Sequence, residues 1–239
     1  FSGRLTAPLV FAGAVAKQAL AQYGIVVGSH ILQINDIKEE RFNPMGVSDA
    51  ELAALHAKKF AVMDDAIGEK MQERILQAKS ELNSVGGVIE AIALHLPAGI
   101  GAPYFDSVES MLSHALFSVP AVKGVEFGDG FGFAGLTGAE ANDALHYVDG
   151  NVQALTNHNG GITGGITNGM PLVVRVAIKP TPSIAREQQT VSLKEQADTT
   201  LAIVGRHDPC IVQRAVPVIE AVVAWTLWDL LLEAKKWEK

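Results

Sequence analysis

The sequence predicts an α+β fold, in which helices and antiparallel strands mix without a repeating β-α-β rhythm. Two observations carry this. Apolar residues recur at helical spacing around 7–20, 64–82 and 215–237, whereas β-branched runs at 25–37 and 172–178 read as strands. The two kinds of segment alternate irregularly, and Gly/Pro clusters separate them instead of evenly spaced crossover helices.

The elements follow in order. Thr6 ahead of Ala7-Pro8 is the expected N-cap of the first helix, which continues through Leu20 to Gly24, a residue suited to the left-handed exit. Residues 25–37 are expected as a strand. Ser48 and Glu51 spell a capping box before Leu52, Leu55 and Phe60, and a further helix is expected over 64–82. Asn83-Ser-Val-Gly-Gly87 breaks it, and 88–96 is an apolar strand ended by Pro97. A Gly/Pro-rich loop over 97–106 leads to a helix capped by Asp106 or Ser107 and running to about Phe117. Residues 120–127 are extended, 128–131 turn, 145–205 hold further strands and turns, and a long helix closes the chain over 215–237.

Composition bounds the function. With 239 residues and 48% hydrophobic content the chain can bury a sizeable core, as one large domain or two small ones. Lys+Arg is 19 against Asp+Glu 26, a net charge of −7, and the cations are scattered singly, which argues against a nucleic-acid surface. An anionic ligand must then be held by a few well-set cations and backbone N–H groups. The one cysteine, Cys210, excludes an internal disulfide and a multi-cysteine metal site, and fits the cytoplasm. The most apolar stretch, 215–232, contains Pro217, Glu220 and Asp229, so a buried or oligomer-facing helix is expected there and no membrane span.

Three segments carry the candidate chemistry. Residues 157–169 hold five glycines in thirteen positions, a composition that suits close backbone approach to a ligand or a surface loop. The run lacks the Lys-Ser/Thr ending of a phosphate-binding loop. After the strand at 172–178, Lys179-Pro-Thr-Pro-Ser183 presents a cation and two hydroxyls from a stiff corner that cannot continue a ladder. Gly205-Arg-His-Asp-Pro-Cys210 sets three ionisable groups before an apolar helix. There Arg206 suits a phosphate fork, and Asp208 suits acid–base work or simple helix capping. His30, His56, His95, His114 and His146 sit singly in helix or strand patterns, His158 lies in the glycine segment, and no metal site is expected.

Taken together, these segments resemble the chorismate synthase family. The matching stretches are 83–87, 97–106, 120–131, 157–169, 179–183, 205–210 and 214–217, in the family's order, with Arg4-Leu-Thr-Ala7 near the start. The resemblance implies a single domain over 1–239, incomplete at its N-terminus, built as a β-α-β sandwich of antiparallel sheets around a helical core, and a homotetramer. It implies the 1,4-elimination of phosphate from 5-enolpyruvylshikimate 3-phosphate to chorismate with reduced FMN, and associates NADP with flavin supply. Carried over by position, Ser2, Pro120, Ala121, Gly164, Lys179, Pro180, Thr181, Pro182, Ser183 and Arg206 bind the flavin. Arg4 and Arg206 face the substrate, and Asp208 and Arg206 are catalytic, Asp208 in proton removal.

Departures from the family pattern are equally specific. The Gly-x-Ser-His-Gly and Arg-Pro-Gly-His segments, whose histidines serve as acids, do not occur in these 239 residues. The chain is therefore expected to be the C-terminal part of such an enzyme, folding imperfectly by itself or binding flavin without turnover; the alternative is a non-catalytic flavin- or phosphate-binding or assembly module derived from that enzyme. Leu5 stands where glutamate is usual and Gln213 where proline is common.

Overall fold

The computed structural model describes residues 2–205 and 207–235. Its centre is a five-stranded antiparallel sheet of β1 (Val26–Ile34), β2 (Ile37–Lys38), β3 (Gly87–Leu94), β4 (Val122–Phe127) and β9 (Leu172–Ile178), in the order β2-β1-β3-β9-β4. Three two-stranded ribbons complete the strands: β5 (Leu145–Val148) with β6 (Asn151–Ala154), β7 (Ile162–Thr163) with β8 (Ile166–Thr167), and β10 (Gln188–Ser192) with β11 (Ala197–Leu201). The helices are α1 (Ala7–Ala21), α2 (Asp49–Ala57), α3 (Asp65–Ser80), α4 (Val108–Phe117) and α5 (Val212–Lys235). The mixed, antiparallel class is the one expected.

Alternation along the strands sorts their side chains onto two faces. Ile31, Ile89, Ala91, Ala93, Val174 and Val176 face the main core with α1, α4 and α5. Burying an aliphatic side chain of this kind contributes roughly 1.5–3 kcal/mol. On the other face, Ile92, Leu94 and Val173 pack against Phe42 and against Leu52 and Leu55 of α2. Gly28 on β1 makes room for Leu52, since a Cβ there would lie 2.8 Å from its Cδ2.

α5 is long and apolar enough to cross a membrane, but two thirds of its most apolar window is buried against the rest of the chain. It runs alongside α1 in the same direction, with Gly13 against Ala221 and the Tyr23 ring 5.8 Å from that of Trp228. A Cβ at Gly13 would collide with both Cα and Cβ of Ala221, so this glycine sets how closely the two helices approach.

Local signals hold in part. Ser48 and Glu51 form the full capping box, and Asp64 and Ser107 cap α3 and α4. Thr6 does not cap α1. Ser2 caps a 3-10 turn over Gly3–Thr6 instead, and the Thr6 hydroxyl donates to Gly3 O at 2.6 Å, because the chain is already helical before Ala7. The strand expected over 25–37 is broken at Asn35, whose φ of 51° turns the chain from β1 into β2. Gly24 takes the left-handed conformation expected of it, φ 72°. The closing helix starts three residues earlier than expected, at Val212, and residues 236–239 lie outside the described residues.

Candidate functional site

The strand register brings three chain segments to one end of the sheet. Ile178, the last residue of β9, pairs with Gly87 at the start of β3 and with Val122 at the start of β4. The loops flanking those residues are therefore neighbours: 119–121 before β4, 82–86 before β3, and 179–183 after β9. Lys179 N donates to Ala121 O at 2.9 Å, and Ser84 Oγ donates to Thr181 O at 2.6 Å. Ala121 has φ 75°, a left-handed conformation unusual for alanine and of the kind that concentrates at functional sites. Pro180 and Pro182 supply no N–H, which leaves the corner projecting beyond the ladder, with Lys179 exposed.

The segment before α5 joins this end. Val85 N donates to Pro209 O at 2.8 Å, next to Asp208, and Asp208 accepts a hydrogen bond from Arg214 Nη1 at 2.8 Å. Cys210 is buried, which pushes its thiol up from the ordinary value. Ser2 and Arg4 are exposed at the start of α1, and the shared direction of α1 and α5 points them toward the end of α5 that Asp208 precedes. Arg206, assigned to flavin, substrate and catalysis, lies outside the described residues.

Gly164 is not part of this gathering. It turns the β7–β8 ribbon with φ 63° and open space where a Cβ would be, which suits close approach of a ligand. Its neighbour Gly165 packs on Ser107 and accepts from Val108 N at 3.0 Å, at the start of α4. Pro120 and Ala121 follow the other end of that ten-residue helix, roughly 15 Å away.

Much of the rest of the glycine segment is tied into the fold. Asn157 is buried: its Oδ1 accepts from Gly161 N at 2.7 Å, and its Nδ2 donates to Pro44 O and Pro171 O at 2.7 and 2.9 Å. A Cβ on Gly161 would lie 2.5 Å from Pro171 O, and one on Gly160 would strike the backbone of Gly128. These glycines admit neighbouring backbone. Asp143 ties the same segment down, accepting from His158 N at 2.8 Å and from Asn159 N and Nδ2 at 3.0 and 2.8 Å. Burial pushes this carboxyl up, but the donors outweigh it and hold it at about 2. A cleft of about 1130 Å³ lies alongside, between the β5–β6 ribbon, residues 43–48 and residues 168–171. Apart from glycine-segment residues such as Thr163 and Asn168, none of the sequence-derived candidates lines it.

One constellation escaped sequence reasoning. His30, Glu90, Arg175 and Glu126 stand opposite one another in a single row across β1, β3, β9 and β4. His30 Nε2 lies 3.1 Å from Glu90, Arg175 Nη1 donates to Glu90 Oε1 at 3.2 Å, and Arg175 Nε donates to Glu126 at 2.6 Å. Glu39 takes the other imidazole nitrogen, and Glu90 also accepts from Phe42 N at 2.6 Å. Burial alone would lower the His30 pKa, but the two carboxylates outweigh it and raise it. For Glu90, burial acts upward, and the bonds from His30, Phe42 and Arg175 bring it below its usual range. The signal available was a single ionisable residue in each of β1, β3 and β9, whereas β4 carries Lys123 as well as Glu126.

The corner has the chemistry that an FMN site would need. Thr181 Oγ1 is buried without a hydrogen-bond partner among the described residues, beside the exposed Lys179 and the strained Ala121. An orphaned hydroxyl, a cation and constrained backbone suit a ligand with polar and anionic parts.

Fold and site together define a mixed helix and antiparallel-sheet protein with a polar, proline-stiffened corner at one sheet end. The family model described as chorismate synthase matches residues 1–232, and the chain belongs to the chorismate synthase family. It is 46% identical over 238 residues to chorismate synthase of Thermococcus gammatolerans and 44% identical over 241 residues to that of Dehalococcoides mccartyi, covering 100% and 98% of this chain. The chain spans 65% and 63% of those relatives' length. A crystal structure of chorismate synthase superposes with a TM-score of 0.79 at 31% identity, over 97% of this chain and 64% of that one.

Proposed function

We propose that the protein acts as a chorismate synthase, eliminating phosphate from 5-enolpyruvylshikimate 3-phosphate to give chorismate, with reduced FMN held at the 179–183 corner. One observation carries the reading: Ala121, Lys179 and the segment bearing Asp208 meet at one sheet end, beside the orphaned Thr181 hydroxyl. Lys179, Thr181 and Ser183 bind polar parts of the flavin, and Pro180 and Pro182 stiffen the backbone that presents them. Pro120 and Ala121 lie along the flavin from the neighbouring loop. Ser2 and Gly164 are further flavin contacts, Gly164 by its backbone. Reduced FMN, when bound, supplies the electron density that helps expel phosphate.

Arg206 and Arg4 face the anionic groups of the substrate and neutralise charge on the departing phosphate. Asp208, oriented by Arg214, takes part in removing the proton lost from the ring. Membership of the family further supports a homotetramer, NADP-linked supply of reduced flavin, a cytoplasmic setting and a single domain over 1–239, incomplete at its N-terminus. Because the two histidine segments do not occur in these residues, residues 1–239 by themselves bind FMN and turn over no substrate.

The test is anaerobic turnover of the protein as expressed from its full gene, with reduced FMN and 5-enolpyruvylshikimate 3-phosphate, following chorismate. The reading expects product formation. Asp208→Asn should slow it by about 100-fold or more while FMN affinity stays within about threefold. No chorismate from wild type, or an equal loss of turnover and FMN affinity in Asp208→Asn, counts against it.

A further inference from the structure

We propose that Ser84 is a positioning residue for the corner at 179–183, and that residues 84–86 link this corner to the Asp208 segment; this rests on the flavin reading of the corner. Beyond Ile178 the corner leaves the ladder, and its two prolines cannot donate. Among the described residues three bonds hold its backbone. Lys179 N donates to Ala121 O at 2.9 Å, Ser84 Oγ to Thr181 O at 2.6 Å, and Gln188 Nε2 to Pro182 O at 3.2 Å. The last is long, and Gln188 opens the β10–β11 ribbon, which pairs with no other strand. Ser84 is thus the short tie at the middle of the corner.

Its neighbours reach in two directions. Val85 N donates to Pro209 O at 2.8 Å, beside Asp208. Gly86 lies against Ile178 O and the Pro180 ring so closely that a Cβ would be 3.0 Å from Pro180 Cδ and in collision with Ile178 O. Three successive residues therefore touch the corner, the Asp208 segment and the corner again. The carbonyl that Ser84 holds belongs to Thr181, whose buried hydroxyl lacks a partner among the described residues. Fixing that peptide fixes the backbone from which the hydroxyl projects, which helps preorganise a binding group. The β3–β9 ladder begins at Gly87, so removing the Ser84 hydroxyl leaves the sheet intact.

The experiment is an FMN titration, followed by flavin fluorescence, on the full chain as wild type, Ser84→Ala and Ser84→Thr, with melting temperatures for each. Ser84→Ala is expected to weaken FMN about fivefold, the worth of one neutral hydrogen bond, at a melting temperature within a few degrees of wild type. Ser84→Thr, which keeps the hydroxyl, should return to within about twofold. Unchanged affinity in Ser84→Ala with normal FMN binding by wild type overturns the role of Ser84 alone. An equal loss in both variants with lowered melting temperatures reduces Ser84 to a packing residue and also overturns it. Absence of FMN binding by folded wild type sinks the flavin reading itself.

Discussion

Glu90 on β3 and Arg175 on β9 face each other across adjacent strands, with Nη1 3.2 Å from Oε1 and both side chains buried. The pair forms the centre of a charged row that neither water nor salt can easily screen. Arg175→Ala should cost about 3–5 kcal/mol, because it strands Glu90 without its cation, whereas the double variant Glu90→Leu/Arg175→Met should lose much less. Urea unfolding of both checks this, and equal losses would count against it.

The row also sets a pH dependence. His30 is raised above its ordinary 6.5, so its contribution is complete below about pH 6.5 and is lost as pH rises through the folded value. Glu90 is lowered from 4.5, so its contribution is present above that value and is lost as pH falls. Stability should therefore decline on the alkaline side, and His30→Gln should flatten that decline. Denaturation midpoints between about pH 6 and 9 in both proteins provide the check.

Asp143 predicts acid sensitivity of a different region. Its carboxyl, held at about 2 against an ordinary 3.8, contributes stability that is present above pH 3.8 and lost as pH falls toward 2. Asp143→Ala should remove that contribution at neutral pH and speed amide exchange at His158 and Asn159, from whose N–H groups Asp143 accepts. Unaltered exchange at those two amides would contradict the assignment.

Gly13 sets the approach of α1 to α5. Gly13→Val should destabilise the protein by roughly 1–3 kcal/mol or more through overpacking against Ala221, and Ala221→Gly should recover part of the loss. Thermal melts of the single and double variants test the pairing, and additive losses would separate the two positions.

What the sequence disclosed was mostly local. The Ser48–Glu51 capping box is readable because both partners lie within one helical turn. The corner at 179–183 is readable because proline fixes its own backbone. Thr6 misled because the chain is already wound into a 3-10 turn before Ala7, with its cap at Ser2. The His30 row was illegible because its members lie 60, 85 and 49 residues apart along the chain, and only strand order and register align them. The tie from Ser84 to Thr181 spans 97 residues, and no spacing in the sequence announces it. Likewise the glycines of 157–169 look alike in sequence, and only packing separates Gly164, open to its surroundings, from Gly160 and Gly161, pressed against backbone.

The most direct test of the central claim is titration of FMN into wild type and Lys179→Ala, read by flavin fluorescence with circular dichroism to verify folding. The corner assignment predicts saturable binding by wild type and binding at least about tenfold weaker in the folded variant, the loss of one charge-assisted contact. Equal affinity in the two proteins, or no binding by folded wild type, would contradict it.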